Sequence, residues 1–380
     1  MLTPVNTPAT LLHLCTRAEW RAALSTGVVA PPSLSEVGFV HLSTPEQVAL
    51  PATRLFPDRR DLLLLAVDQA SLAASGIEMR WEPGLPGDPD TMRFPHAYGP
   101  VPTSAVVAVQ TYRPRPDGRF DDPPAPPDRA DHAGRLRAFA ESLPRRLATT
   151  EIPVSGGVAL LQAKLPWSRA LNQLLLDDPT SGAEVIAEAD RVLGRAGRPH
   201  RCVTLRGPDP GPVADELRRH GWWVRREAVL ARELGRDPAD RCPDHRVEPA
   251  ELADVRPLWT SAWRAEPRDH GRRPPDRFPL DDTALDVRYV AVRDEHGTVV
   301  AAAALQIDGA TAVLDAVASD GAHRREEHAE ALLRGAAAIA GHAGCDLLGL
   351  DALVADWPRH GYPRRGFSAV AETWTAGRAG

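Results

Sequence analysis

The chain has 380 residues, of which 43% are hydrophobic and 25% are charged, and its formal net charge is −6. At roughly 150 residues per domain, this length predicts two or three compact units. The acidic balance argues against a general nucleic-acid binder, which needs a clustered basic surface. We expect no membrane-spanning helix, because no apolar run reaches 18 residues. The four cysteines are scattered, which favours a reducing cytoplasm over a disulfide framework or a metal site.

Residues 9–112 alternate short apolar runs with helical stretches and predict a small α+β domain. LLHLCT predicts a strand, followed by a helix for which Thr16 and the glutamate three residues later form a capping box. GFVHLS predicts a second step from strand to helix, in which Thr44 caps a helix beginning at Pro45 and Gln47 completes the box. Further strands are predicted in DLLLLAV, MRWE and AVVAVQTY.

Residues 113–130 are crowded with proline and aspartate and predict a linker. Residues 131–240 predict a second, α/β unit. It begins with a helix over 131–146 and continues with a helix in EVIAEADRVLGRAG, a strand in RCVTL and a strand after the turn at GWW.

Residues 245–380 predict a third unit that opens with a helix in ELADVRPLWTSAW. Three strands follow in VRYVAVRD, VVAAAALQID and TAVLDAVAS, and residues 294–297 suit a hairpin between the first two. A long helix in EHAEALLRGAAAIAGHAG, a strand in CDLLGLDA, another helix and a final strand complete the unit.

Three antiparallel strands, a long helix and a late YPRRGF turn beginning at Tyr362 occur here in the order that resembles the GNAT superfamily of acyl-CoA-dependent N-acetyltransferases. The resemblance is carried by the AVA run at 316–318 and the helix over 329–340. The middle section, with ALNQLLL, HRCVTL and GWW, looks like the degenerate first half of tandem members. An α+β chain is implied, in which an N-terminal domain precedes a tandem, two-lobed GNAT fold with lobes at 131–240 and 245–380.

The GNAT resemblance also implies an acetyl-CoA site, with backbone groups of a strand beside the pantetheine arm and amides of the next helix at the pyrophosphate. The residues that it assigns to acyl-CoA are Val317, Ala318, Arg324, Arg325 and Ala329. Tyr362 takes the place of the hydroxyl that protonates the departing thiolate, unless it is a core aromatic. Asp315, Glu266 or Asp351 is a candidate base for the amine; the alternative for each is a solvated or capping acid.

The phosphate-binding run departs from the family pattern, which has Arg-Gly-x-Gly before the helix. Both glycines are replaced here, and the matching residues are Arg324, Arg325, Glu326 and Glu327. A carboxylate about 4 Å from a phosphate costs about 1 kcal/mol in water and about 4 kcal/mol at an effective dielectric of 20. The glutamates therefore either complement the dipole of a helix that no longer binds CoA, or are offset by the two arginines.

The segments EWRAAL, VGFVHLSTPEQV, DLLLLAVD, RWE and FPHAYGPVPTSAVVAV match, in order and spacing, a small bacterial family known only as a domain of unknown function, number 952. This resemblance covers residues 9–112 and implies an ADP-ribosyltransferase-like fold with a cleft for NAD. The residues expected in that pocket are His41, Ser43, Glu82, His96 and Tyr98. The alternatives are core histidines and a salt bridge at a strand end, and no third ligand for a metal is apparent.

Three functions follow as expectations. The first is an acyl-CoA-dependent N-acetyltransferase that acts on an amine of a small molecule or protein and carries an accessory ADP-ribosyltransferase-like domain. The second is an NAD-linked or nucleotide-linked activity of the N-terminal domain on a catalytically degenerate GNAT scaffold. The third is a ligand-binding protein without catalysis. The sequence specifies neither the acceptor nor the oligomeric state.

Overall fold

A computed structural model describes residues 8–84, 92–179, 181–235, 244–265, 285–320, 325–354 and 361–380. The helices and strands up to residue 112 form the N-terminal domain. In chain order they are β1 (Thr10–Thr16), α1 (Arg17–Thr26), β2 (Val28–Val29), α2 (Pro32–Glu36), β3 (Val40–His41), α3 (Ala49–Leu55), β4 (Leu62–Asp68), α4 (Gln69–Ala74), β5 (Glu78–Pro83), β6 (Arg93–Tyr98), β7 (Val101–Pro102) and β8 (Val106–Tyr112).

The rest of the chain is built around one large sheet. Its helices and strands are α5 (His132–Leu147), β9 (Thr150–Val154), β10 (Gly157–Leu161), β11 (Gln173–Leu176), α6 (Gly182–Ala189), β12 (His200–Leu205), α7 (Gly211–Arg219), β13 (Trp223–Glu233), β14 (Val247–Ala250), α8 (Leu252–Ala265), β15 (Asp286–Arg293), β16 (Val299–Asp308), β17 (Thr311–Ser319), α9 (Arg325–His342), β18 (Leu347–Leu353) and β19 (Ser368–Ala379). None of the helices in the described ranges is long and apolar enough to cross a membrane.

The N-terminal domain contains two three-stranded sheets, in the orders β1-β4-β8 and β3-β6-β5. They meet where Ser43 pairs with Leu12 on β1. Alternate residues of the fully buried β4 pack on the two sides of its sheet, Leu63 and Leu65 on one side and Leu62 and Leu64 on the other. This alternation follows from the two-residue repeat of a strand, so the β1-β4-β8 sheet carries a core on both faces.

The large sheet has eleven strands in the order β14-β15-β16-β17-β18-β13-β19-β12-β11-β10-β9. Two neighbouring pairs are parallel, and each is joined by a helical crossover: β11 to β12 through α6, and β17 to β18 through α9. β13 and β19 are exchanged between the halves, because β13 pairs with β18 of the second half and β19 pairs with β12 of the first. Residues 131–235 and 244–380 therefore share one continuous sheet.

Each face of the large sheet carries its own helices. We call the side covered by α6, α7 and α9 the α9 face; its apolar residues include Leu174, Leu230, Leu314 and Leu350. We call the side covered by α5 and α8 the α5 face. On this face Leu136 of α5 packs so closely on Gly349 of β18 that a Cβ there would collide with it.

The N-terminal domain is joined to the large sheet through the turn between β16 and β17. Asp308 at this turn is buried; its carboxylate accepts from Nε1 of Trp20 on α1 at 2.8 Å and pairs with Arg146 of α5 at 2.6 Å. Gly309 has a left-handed φ of +72°, and a Cβ there would collide with the carbonyl oxygen of Val106. The next amide, of Ala310, donates to the same oxygen at 2.7 Å. One buried turn thus links α1, β8 and α5.

Most local signals in the sequence correspond to an element of the structure. The capping box at Thr16 is present, with both of its hydrogen bonds. For the second predicted capping box, the predicted start of the helix is wrong. Gln47 does accept from the amide of Thr44, but residues 45–48 form turns and α3 begins only at Ala49. Residues 113–130, predicted as a linker, contain no described helix or strand, yet they are packed, since Phe120 is buried beside β8.

Acid is expected to destabilise the fold through His200 of β12. This side chain is buried, its Nε2 lies 3.1 Å from the carbonyl oxygen of Asn172, and burial lowers its pKa to about 4. The unfolded chain binds the proton near pH 6.5, so the stabilisation is complete above that pH and is lost as the pH falls towards 4. We expect His200→Gln to remove up to about 1.4 kcal/mol per pH unit from this acid dependence, measured by urea unfolding between pH 7 and 5. An unchanged pH slope, equal to that of the exposed control His296→Gln, would refute this assignment.

Candidate functional site

The parallel pair β17 and β18 separates after three residues. The ladder joins Thr311, Ala312 and Val313 to β18, and the last pair is Val313 with Gly349. Beyond it β17 continues to Ser319 and β18 to Leu353 without further pairing between them. Ala316, in the separated part of β17, has a φ of +53°, the one positive φ of a non-glycine residue in the described chain. The two strands therefore form a wedge, and the edge of β17 facing β18 has backbone groups without strand partners.

A cavity of about 1390 Å³ passes through this wedge from one face of the sheet to the other. On the α9 face it is lined by residues such as Leu332, Leu350 and Tyr362. On the α5 face it is lined by Val313, Asp315 and other residues on that side of the sheet, beneath α5 and α8. This volume exceeds the roughly 300–1,000 Å³ of an ordinary small-molecule pocket, so two ligands can meet in it.

Asp315 and Asp351 occupy equivalent positions on the two sides of the wedge. Each lies two residues beyond the last ladder pair, on the α5 face, and both line the cavity. Nε2 of Gln306 lies 3.3 Å from one oxygen of Asp315, and the amide of Ala316 donates to the other at 2.7 Å. The carboxylates are thus on the side opposite Tyr362, which packs against the α9-face core.

The residues predicted for an acyl-CoA site fall into two groups. Glu266 and Arg324 lie outside the described residues, and Arg325 is the first residue of α9, with a side chain that is not described. The others line the cavity: Asp315, Val317, Ala318, Ala329 and Tyr362. Val317 is 42% exposed although it is apolar. Arg365 also lines the cavity, and its proximity could not be recognised from its sequence position in the YPRRGF turn.

Glu327, in the first turn of α9, contacts a cation of the same half. Its carboxylate accepts from Nη1 of Arg246 at 3.0 Å, and Arg246 also pairs with Asp244 at 2.8 Å. The hydrogen bond from Arg246 lowers the pKa of Asp244 to about 2. The charge of Glu327 is therefore partly balanced by a guanidinium beside it.

The first half of the sheet has an equivalent helical crossover, from β11 through α6 to β12, but the space at the start of its helix is filled. The amides of Gly182 and Ala183, at the start of α6, donate to the two oxygens of Glu216 at 2.7 and 3.1 Å. A Cβ on Gly182 would meet the Glu216 side chain at 2.7 Å. The backbone also stays joined beyond the β11–β12 ladder, since the amide of Arg206 donates to the carbonyl of Leu176 at 2.8 Å. A carboxylate of the chain thus already occupies the place where an anion would bind this helix.

The residues predicted for the N-terminal pocket largely share one face of the β3-β6-β5 sheet. His41 lies directly opposite His96, and their rings are perpendicular, with centroids 5.0 Å apart. Glu82 accepts from Nδ1 of His96 at 3.1 Å and from the hydroxyl of Tyr98 at 2.9 Å. Ser43 lies two residues beyond His41, buried where the two sheets meet. The Glu82 contacts lower the pKa of this carboxyl, so it is an ionised acceptor at neutral pH.

Phe39 completes this face, although the sequence did not single it out. Its ring stacks on that of His96 at 4.0 Å. Burial lowers the pKa of His41, and the neighbouring imidazoles act in the same direction. The guanidinium of Arg80 on this face is already paired with Glu78 at 2.8 Å. Cationic groups for a diphosphate are therefore not gathered here by the described residues, and NAD binding stays a prediction.

No group of three or more His, Cys, Asp or Glu side chains that could hold a metal ion occurs within the described ranges. The imidazoles of His41 and His96 are thus close to each other without forming such a group.

Residues 14–109 match the family described as protein of unknown function (DUF952). The chain therefore carries a DUF952 domain at these positions. The chain has no significant match among curated proteins.

Among solved structures, protein CC0527 from Caulobacter crescentus is 31% identical; the match covers 30% of this chain and 93% of that one, with a TM-score of 0.26. A GCN5-related N-acetyltransferase from Kribbella flavida is 20% identical over 66% of this chain and 94% of that one, with a TM-score of 0.43. A functionally unknown conserved protein from Staphylococcus epidermidis is 11% identical over 60% and 94% of the two chains, with a TM-score of 0.48.

Proposed function

We propose that the chain is an acyl-CoA-dependent N-acetyltransferase with a two-lobed GNAT fold in residues 131–380 and one cofactor site, in the second lobe. The observation that carries this proposal is the wedge between β17 and β18 with a cavity running through it. A thioester entering from the α9 face can place its carbonyl beside the free backbone edge of β17. The acceptor amine can approach from the α5 face.

The proposed general acid and general base lie on opposite faces of the sheet, each on the side of the reactant with which it exchanges a proton. In the proposed reaction a neutral amine attacks the thioester carbon, an N–C bond forms and the C–S bond breaks. Asp315 or Asp351, on the acceptor side, takes the proton lost by the amine, directly or through water. Tyr362, on the cofactor side, gives a proton to the departing thiolate. These positions support the roles that the GNAT resemblance implies.

Only one lobe is suited to an acyl-CoA. A diphosphate would have to displace Glu216 from the amides of α6 in the first lobe, and it would meet like charge there. In the second lobe the first-turn carboxylate of Glu327 is bound by Arg246, which reduces its repulsion of a phosphate. We therefore assign the first lobe a structural role, which includes supplying β13 as the partner of β18 in the second lobe.

Calorimetric titration of the full-length protein with acetyl-CoA tests this assignment. We expect one site per chain and at least tenfold weaker binding for Ala329→Glu, which puts bulk and negative charge into the cavity wall at the start of α9. The matched control is Ala187→Glu, at an exposed position of α6 in the first lobe.

The control should bind acetyl-CoA like the parent protein. Absence of acetyl-CoA binding to the parent protein would overturn the proposed function. Weaker binding to the Ala187→Glu variant alone would instead assign the cofactor to the first lobe.

A further inference from the structure

The cavity continues on the α5 face well beyond the wedge, as a groove between the sheet and α5. Lining residues extend across β13, β19 and β12 to Gln173 on β11. Four strand spacings of about 4.8 Å separate β18 from β11, so the groove is about 19 Å long. This length suits an elongated acceptor rather than a compact one.

Along β19 and β12, the floor of the groove carries a row of neutral hydrogen-bonding groups. Thr373 and Thr375 on β19 and Thr204 on β12 lie on the groove side of adjacent strands, and Thr204 pairs with Thr375 in the ladder. The hydroxyl of Thr204 donates to the amide oxygen of Gln173 at 2.6 Å and keeps lone pairs to accept with. Thr373 and Thr375 make no side-chain hydrogen bond within the described part of the chain. Hydroxyls of a ligand can supply those bonds.

The roof is apolar, and the charged groups at its rim form ion pairs within the protein. Ala140, Pro144 and Leu147 of α5 face the groove. Arg206 at the rim pairs with Glu141 of α5 at 2.9 Å and with Asp177 at 2.8 Å. Because these charged groups pair with one another, the body of a ligand would lie between the alkyl surface of α5 and the row of threonine hydroxyls.

The wedge end of the groove is acidic. Asp315 and Asp351 lie there, and Glu227 on β13 lines the adjoining floor. A guanidinium, that of Arg225, is 2.9 Å from Glu227, so part of this charge is balanced. Three carboxylates at one end of the groove favour an ammonium group over a carboxylate on the acceptor.

We infer that the acceptor is an elongated, hydroxylated primary amine of the amino-sugar class, held with its amine at the acidic end and its hydroxyls on the threonine floor. This inference rests on the proposed acetyl transfer and specifies its substrate class. A sugar presents C–H groups on one side and hydroxyls at its edge, which matches the apolar roof and the polar floor. A site built to bond hydroxyls disfavours an analogue without them, because its own polar groups then lose their partners.

Acetyl-CoA-dependent thiol release by the full-length protein tests the inference with three probes: the disaccharide of β-1,4-linked glucosamine, octylamine and leucine. We expect kcat/KM for the amino disaccharide to exceed the other two by at least tenfold. The double variant Thr373→Val/Thr375→Val should lower kcat/KM for the disaccharide about tenfold and for octylamine less than twofold. Thr26→Val, on the N-terminal domain, is the control and should change neither.

The outcomes separate this inference from the function on which it rests. Equal losses for both amines, faster acetylation of octylamine or leucine, or no acetylation of the disaccharide by a protein that binds acetyl-CoA would overturn the acceptor class alone. Absence of acetyl-CoA binding in calorimetry would overturn the acetyltransferase function, and the acceptor class with it.

Discussion

Replacing Asp308 by alanine is expected to destabilise the protein by about 3–5 kcal/mol, the usual cost of removing one partner of a buried ion pair. The side chains of Asp308 and Arg146 are 3% and 0% exposed, so the guanidinium would be left charged and buried. Nε1 of Trp20 would lose its acceptor as well. The measurement is the free energy of unfolding in urea at pH 7.

The matched control is an ion pair of the same chemistry at the surface. Asp215 and Arg218 are 70% and 45% exposed, and Asp215→Ala should cost less than about 1 kcal/mol. Asp308→Asn keeps the shape and one acceptor oxygen, and should fall between the two. If Asp308→Ala were no more costly than Asp215→Ala, the junction would not be the buried network described above.

The position of this network joins the DUF952 domain to the elements that form the wedge and the groove. α5 carries Arg146 towards the N-terminal domain and turns Ala140 and Pro144 to the groove. The turn that holds Asp308 leads directly into β17, the strand that forms one side of the wedge. A change that loosens the junction is therefore expected to reach the wedge by two routes: through the packing of α5 on Gly349 of β18, and through β17, which continues directly from the turn.

The sequence predicted those elements whose signals are local. The hairpin over 294–297 is formed, with the amide of Asp294 donating to the carbonyl of Thr298, because its turn chemistry lies within a few residues. Likewise α5 and α9 follow from their helical spacing. The helix expected at Pro45 is displaced because the chain forms turns first, and the backbone bond from Gln47 to Thr44 belongs to those turns.

The wedge, the strand exchange and the junction depend on residues far apart in the chain. Trp20 and Asp308 are 288 positions apart, and nothing near either residue signals the other. Glu216 of α7 caps α6 from 34 positions away in the chain. Its sequence context is that of an ordinary surface glutamate, so its role in blocking an anion site could not be predicted. Asp315 is a candidate base from the sequence because a carboxylate can deprotonate an amine, whereas the face of the sheet on which it lies follows only from the register of β17.

Tyr362→Phe is expected to lower kcat of acetyl transfer by about 100-fold or more, the lower range for loss of a positioned general acid. Phenylalanine keeps the ring and its perpendicular contact with Phe367, whose centroid is 6.1 Å away, so the α9-face packing is preserved. Tyr362 borders the cavity on the side from which we propose that the thioester enters. Removing the hydroxyl is therefore expected to remove the proposed proton donor to the thiolate and to leave the binding surface intact.

The split between kcat and binding distinguishes this role from a structural one. The dissociation constant for acetyl-CoA should stay within about twofold of the parent value, whereas a packing defect would weaken binding and lower the melting temperature. Tyr98→Phe provides the control: it removes a hydroxyl bonded to Glu82 on the N-terminal domain and should leave kcat unchanged. Full activity of Tyr362→Phe would assign thiolate protonation to water or to another group at the wedge, and the tyrosine would then be one more aromatic of the α9-face core.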